Sequence, residues 1–143
     1  MREILFRGKR IDNGEWIYGS LVTNIFFHMK SGKSIQYILN VSEIDYDCFE
    51  DLTDGYGYYE VDTDTIGQYI GCNDDNNNPI FEGDFVRRTD MDNDLIEIYW
   101  EAETGGFRML YLEYDEDYNL DELPSCEIIG NIYDNPELLE VEE

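Results

Sequence analysis

The stretch that decides the fold is residues 4–21, ILFRGKRIDNGEWIYGSL. Ile4-Leu5-Phe6-Arg7 reads as a short strand, Asp12-Asn13-Gly14 as a turn, and Glu15-Trp16-Ile17-Tyr18-Gly19-Ser20-Leu21 as a second strand, so the chain opens with a β-hairpin. Outward from it the same grammar repeats. Ile25-Phe26-Phe27 and Ser34-Ile35-Gln36-Tyr37-Ile38 flank Lys30-Ser31-Gly32-Lys33, which predicts a second hairpin with a basic tip. Thr65-Ile66-Gly67-Gln68-Tyr69-Ile70-Gly71 is extended, and Asn73-Asp74-Asp75-Asn76-Asn77-Asn78-Pro79 is a polar turn. Phe85-Val86-Arg87-Arg88 and Ile96-Glu97-Ile98-Tyr99-Trp100 are expected to pair around the Asp90 to Asp94 loop, with further strands at Phe107 to Tyr114 and Cys126 to Ile129.

Two segments break this rhythm. Residues 41–64 are acidic and centred on Asp54-Gly55-Tyr56-Gly57-Tyr58-Tyr59, too rich in glycine for a helix and too irregular for a strand, so a long loop or insertion is expected there. Asn135-Pro136-Glu137-Leu138-Leu139-Glu140 places a capping residue, a proline at the first helical position and an acid in the first turn, the pattern of one short carboxy-terminal helix. Strands at such short spacing suit a small barrel or sandwich better than an alternating α/β sheet.

Composition bounds the rest. At 143 residues, with 42% hydrophobic and 15% aromatic content, the chain holds enough apolar surface for a folded core despite a net charge of −25. Twelve Tyr, seven Phe and two Trp suit half-buried sheet faces, so a mainly β fold is expected. The charge is uneven: residues 1–40 carry six Lys/Arg against three Asp/Glu, and residues 41–143 three against thirty-one. That polarity can orient subunits head to tail or aim an acidic face at a cationic partner, and it also serves solubility. No apolar run approaches the roughly 20 residues that span a bilayer, and Met1-Arg2-Glu3 opens no signal core, so a cytoplasmic protein with no membrane association is expected.

The chemistry-bearing residues assemble no catalytic site. Cys48, Cys72 and Cys126 are odd in number and form no CxxC pair, so they read as reduced thiols. The single histidine, His28, sits among Phe26, Phe27 and Met29, where a packing position suffices. Asp90-x-Asp92-x-Asp94 with Glu101 matches the oxygen positions of a calcium loop, but Leu95 stands where that loop needs glycine and a strand follows where it needs a helix. Glu82 and Asp84 around Gly83 could be drawn as an acid and base pair, but a permissive glycine turn whose aspartate bonds nearby backbone amides explains them better. No phosphate-binding glycine loop is present. Neither catalytic residues, nor a cofactor, nor a metal is expected, and an enzyme is not.

Five segments taken together resemble the YopX family: Phe6-Arg7-Gly8-Lys9, Gly14-Glu15-Trp16-Ile17-Tyr18-Gly19, the run from Val61 to Gly71, Ile80-Phe81-Glu82-Gly83-Asp84-Phe85-Val86, and the run from Ile128 to Leu139. Departures from the family pattern are Thr63, where proline is usual, and the Asn-rich turn before Pro79, usually richer in lysine and glycine. The resemblance implies a phage or prophage of Gram-positive bacteria as the source. It also implies a mainly β fold made of an α+β amino-terminal part and a small SH3-like carboxy-terminal barrel, and self-association. On this reading residues 1–143 form one YopX-like domain, with subdomains at 1–64, including the acidic loop 41–64, and at 65–143. No catalytic residue comes with it.

Two classes of function remain. The first is a non-enzymatic interaction protein, a homo-oligomer with an unidentified host or phage protein as partner. The second is acidic mimicry of nucleic acid, or a nucleic-acid-related regulator acting on a host protein. Direct nucleic-acid binding is disfavoured, because only Arg2, Arg7, Lys9, Arg10, Lys30 and Lys33 oppose a charge that repels phosphates.

Overall fold

The computed structural model describes residues 3–24, 35–40, 58–90 and 92–139. Among these, every regular element is a strand or a short 3-10 turn, and there is no α-helix. The mainly β expectation therefore holds, while its α+β component finds no helix among the described residues. The chain divides into two units, with the boundary between Gln68 and Tyr69.

Unit 1 is an antiparallel sheet of β1 (Phe6–Lys9), β2 (Trp16–Asn24), β3 (Ile35–Leu39) and β4 (Tyr58–Val61), in the order β4-β3-β2-β1. At its β1 edge, Gly67 and Gln68, the first residues of β5 (Gly67–Asn73), pair with Arg7 and Phe6. The opening hairpin forms, its first strand at Phe6–Lys9 rather than Ile4–Arg7, with Phe6 opposite Gly19 and Lys9 opposite Trp16, and its turn closes by Gly14 N–H donating to the Arg10 carbonyl at 2.9 Å. Strand alternation sends Ile17, Ile38 and Val61 to one buried cluster, with Phe6, Leu21 and Ile66 packed against it. A 3-10 turn, Thr63–Thr65, follows β4, and the Thr65 hydroxyl accepts from Lys9 N–H at 2.9 Å while donating to the Asp62 carbonyl at 2.7 Å.

Two expectations for this unit change. The second hairpin joins β2, which continues to Asn24, to β3, with Asn24 opposite Ile35; its expected arm at 25–27 and tip at 30–33 lie outside the described residues. The acidic loop is not loop throughout. Residues 41–57 lie outside the description, but Tyr58–Val61 is β4, laid against β3 with Val61 opposite Gln36 and buried. A neighbouring strand supplies the ladder that the local pattern, diluted by glycines, does not advertise.

Unit 2 starts with the remainder of β5, which pairs with β6 (Pro79–Phe81) through Tyr69 and Phe81. There follow β7 (Asp84–Arg88), β8 (Leu95–Glu101), β9 (Gly106–Tyr111), β10 (Glu116–Asn119), a 3-10 turn at Leu120–Glu122, and β11 (Cys126–Asn131). The last five strands make one antiparallel sheet in the order β10-β9-β8-β7-β11. Among the described residues β10 and β11 do not pair, so the sheet stays open and no barrel closes. Val86, Ile96, Ile98, Met109 and Cys126 point to one face and form its core with Ile70 and Ile80.

The carboxy-terminal helix is also corrected. Pro136–Leu139, directly after Asn135, is a 3-10 turn and not an α-helix. The Asn135 Oδ1 reaches back to accept from Asn131 N–H at 3.2 Å, across Gly130, where any Cβ would collide with that same amide. Gly83 has the opposite reason to be glycine. At φ 93° between β6 and β7, its N–H donates to the Ile98 carbonyl at 2.7 Å and its carbonyl accepts from Ile132 N–H at 2.9 Å. Gly83→Ala should destabilise by about 2 kcal/mol through backbone strain at this clamped position, readable in a urea melt.

Candidate functional site

Each residue singled out in the sequence has a place or lies outside the description. His28, Cys48, Arg2, Lys30 and Lys33 are outside it. Cys126 is buried and Cys72 half-buried, both free; burial, with the charges of Asp75 and Asp74, pushes the Cys126 thiol up to about 11, so it is a poor nucleophile. Arg7 and Lys9 lie over the Trp16 ring at 4.5 and 5.5 Å, and Arg10 lies 4.1 Å over Tyr59 while donating twice to Asp12 at 2.9 and 2.6 Å. The cationic residues of β1 and its turn thus serve the sheet that carries them.

The carboxylates of the calcium-like spacing do not all converge: Asp90 and Asp94 both reach Arg88, and Glu101 stands apart from them. Asp90 takes both forks of Arg88 at 2.9 and 2.8 Å, whereas Glu101, at the far end of β8, meets Arg108 at 3.2 Å. Seven strand residues between those ends span about 20 Å. Nor do Glu82 and Asp84 form a reactive pair: Asp84 is buried and accepts from Phe81 N–H at 2.8 Å, closing the turn around Gly83.

Register brings a different set together. Opposed residues share a face, so Ile96, Tyr111 and Glu116 align across β8, β9 and β10, as do Ile98, Met109 and Tyr118. Arg88 stands two residues beyond Val86 and therefore on the same face. This is the core face, and past Met109, itself fully buried, it opens into a cleft of about 410 Å³. Tyr111 and Tyr118 meet edge to face at 5.3 Å on its wall, with Tyr114 beside them. Arg88 lies 5.9 Å from the Tyr111 ring centre and 3.6 Å from Asp94. Asp92, Glu116 and Glu122 complete the charged lining.

The cleft's electrostatics follow from these neighbours. The Tyr118 hydroxyl donates to Glu116 at 2.7 Å, which raises its pKa. Tyr111 is raised by burial against the opposing pull of Arg88, and Tyr114 by the charges of Asp94 and Glu113. All three phenols stay protonated near neutrality and keep neutral, electron-rich rings. On the opposite face of the sheet Arg108 ties Asp117 at 2.7 Å and Asn119 at 2.6 Å, with Tyr99 donating to Asp117 at 3.0 Å. That network fastens the short edge strand β10, and hence the position of Glu116 and Tyr118.

Asp92 and Asp94 stand out in the sequence by their spacing, but the cleft they line does not. Tyr111 ends β9, while Tyr114, inside the expected strand Phe107 to Tyr114, stands in the turn that follows, and Glu116–Asn119 shows no apolar strand pattern in the sequence. The available signal was the alternation Glu116-x-Tyr118 after a turn at Asp115, whose φ is 54°.

These features define a class: a strand-dominated chain whose second unit is an open five-stranded antiparallel sheet, with an aromatic and acidic cleft at one end of its core face. The profile of the YopX protein family matches residues 5–140, and the chain belongs to that family. No curated protein matches it. The crystal structure of protein EF1440 from Enterococcus faecalis is similar in fold, with a TM-score of 0.50 at 20% identity, covering 97% of this chain and 99% of that one. No helix among the described residues is long and apolar enough to cross a membrane.

Proposed function

We propose that the chain is a non-enzymatic interaction protein of a phage or prophage, acting in the host cytoplasm and self-associating, with unit 2 working as an SH3-like module. The observation that carries this is the cleft of about 410 Å³, in which tyrosine rings and carboxylates line a concave surface rather than a reactive constellation. The SH3-like reading is supported by strand order: β7 to β10 follow one another as a meander, and β11, after a 3-10 turn, returns to pair with β7. Self-association has candidate anchors in exposed rings, above all Trp100, 47% exposed and edge-on to Phe107 at 5.1 Å. Light scattering over a salt series, with tagged pull-down from host cells, is expected to give an oligomer and a recovered partner. A strict monomer that recovers nothing would overturn the reading.

Nucleic-acid mimicry is the second reading, favoured by the net charge of −25. It predicts capture of a basic DNA-binding host protein that is released by salt.

A further inference from the structure

We infer that the cleft of unit 2 receives a cationic side chain, an arginine or lysine carried on an exposed segment of a partner protein of different sequence. This rests on the interaction role proposed above and specifies its ligand. The walls supply the apolar part of such a contact: Met109 forms a buried floor, and Tyr111, Tyr114 and Tyr118 offer rings over which an alkyl stem and a cation can lie. The charges supply the rest. Arg88 is one cation against the four carboxylates of Asp92, Asp94, Glu116 and Glu122, and its own guanidinium is held in the fork of Asp90.

Arg88 also shows the binding mode within the chain. Its guanidinium sits 5.9 Å from the Tyr111 ring with Asp90 at 2.8 Å and Asp94 at 3.6 Å, one aromatic neighbour and two acids. A second guanidinium entering the cleft would meet the same chemistry in Tyr118 and Tyr114, with Glu122 and Asp92 as its acids. Neither Asp92 nor Glu122 has an ion-pair partner among the described residues. An anionic ligand would face this lining unfavourably.

A second copy of the chain is the less suitable occupant. Its described basic residues on β1 and the following turn are already stacked on Trp16 and Tyr59 or bonded to Asp12, so they are not available to enter the cleft of another copy.

The test is calorimetric titration of the full chain with a capped heptapeptide carrying two arginines in a glycine and serine frame, beside the same peptide with citrulline in place of arginine. Citrulline keeps the shape and removes the charge. The arginine peptide is expected to bind at least tenfold more tightly than the citrulline peptide, with a Kd on the order of 10 to 100 µM at low salt. The double variant Asp92→Asn with Glu122→Gln should weaken it about tenfold, whereas Asp64→Asn with Glu103→Gln, an equal change of charge at exposed positions outside the cleft lining, should leave it within about twofold. Matching thermal melts verify that both variants are folded. Equal binding of the two peptides, or equal weakening by the two double variants, would overturn the assignment. If the cleft fails while the protein still oligomerises and recovers a partner, the interaction role stands and only its ligand is refuted. Should the cleft bind arginine while light scattering gives a strict monomer, self-association is the part that falls.

Discussion

Replacing Asp74 by alanine is expected to lower stability by about 3 kcal/mol, a fall of roughly 10 °C in melting temperature for a chain of this size. Asp74 is only 7% exposed, and its carboxylate accepts three backbone N–H groups: Asn76 at 3.0 Å and Asn78 at 2.8 Å on Oδ1, and Ile128 at 3.0 Å on Oδ2. The first two shape the turn that the sequence marks as polar, and the third fastens that turn to β11. Asp75 continues the seam: its N–H donates to the Cys126 carbonyl at 2.9 Å, and its Oδ1 accepts from Cys126 N–H at 3.2 Å. The turn therefore covers the outer edge of β11, which would otherwise offer unpaired backbone to another strand. Alanine leaves the half-buried Ile128 amide without its acceptor and frees that edge, so the variant should also aggregate more readily.

The pH dependence has a definite sign. Burial raises the pKa of Asp74, but the amides of Ile128, Asn78 and Asn76 more than offset it and hold the carboxyl below its ordinary value. A depressed native pKa adds stability above the unfolded value of about 4, and that contribution disappears as pH falls through the native pKa. Urea midpoints of the native chain and of Asp74→Ala should therefore differ most near neutrality and draw together as the pH falls below about 4. A gap independent of pH would mean that packing, not the carboxylate, makes the difference.

The turn at 73–78 illustrates how much the sequence disclosed. Its polarity announced a turn, and the structure has one; that Asp74 and Asp75 clip a strand some fifty residues later depends on tertiary proximity. Strands β7 and β8 were legible because Phe85-Val86 and Ile96-Glu97-Ile98 bury apolar side chains on a sheet whose pattern survives in the sequence. β10 was not, since all four of its residues, Glu116–Asn119, are exposed and only pairing with β9 makes them a strand. The cleft was hidden for a related reason. Its lining runs from Arg88 to Glu122 across four elements, and the shared face of Tyr111 and Glu116 depends on the intervening turn, which residue types alone do not fix.

Gly19→Ala is expected to be the most damaging change in unit 1, costing about 3 kcal/mol or more, because the collision is with backbone. Gly19 lies in β2 opposite Phe6 of β1, and the next residue, Ser20, is opposite Leu39 of β3. A Cβ at position 19 would run into the Leu39 carbonyl, its oxygen first and its carbon at 2.8 Å, with Asn40 Cα at 3.2 Å. A side chain in that place could rotate away, but a carbonyl in a paired strand moves only if β2 and β3 separate. Those two strands carry Ile17 and Ile38, two of the three buried core residues among the described part of the unit, so the separation would open that core. The tryptophans provide the readout, with Trp16 in unit 1 and Trp100 in unit 2. In a Trp100→Phe background, fluorescence of Trp16 should shift to lower urea on introducing Gly19→Ala. In a Trp16→Phe background, the Trp100 transition should move much less. Equal shifts of the two reporters would show that the units unfold as one cooperative body, and an unchanged Trp16 transition would show that β2 and β3 can part at that point without loss of the core.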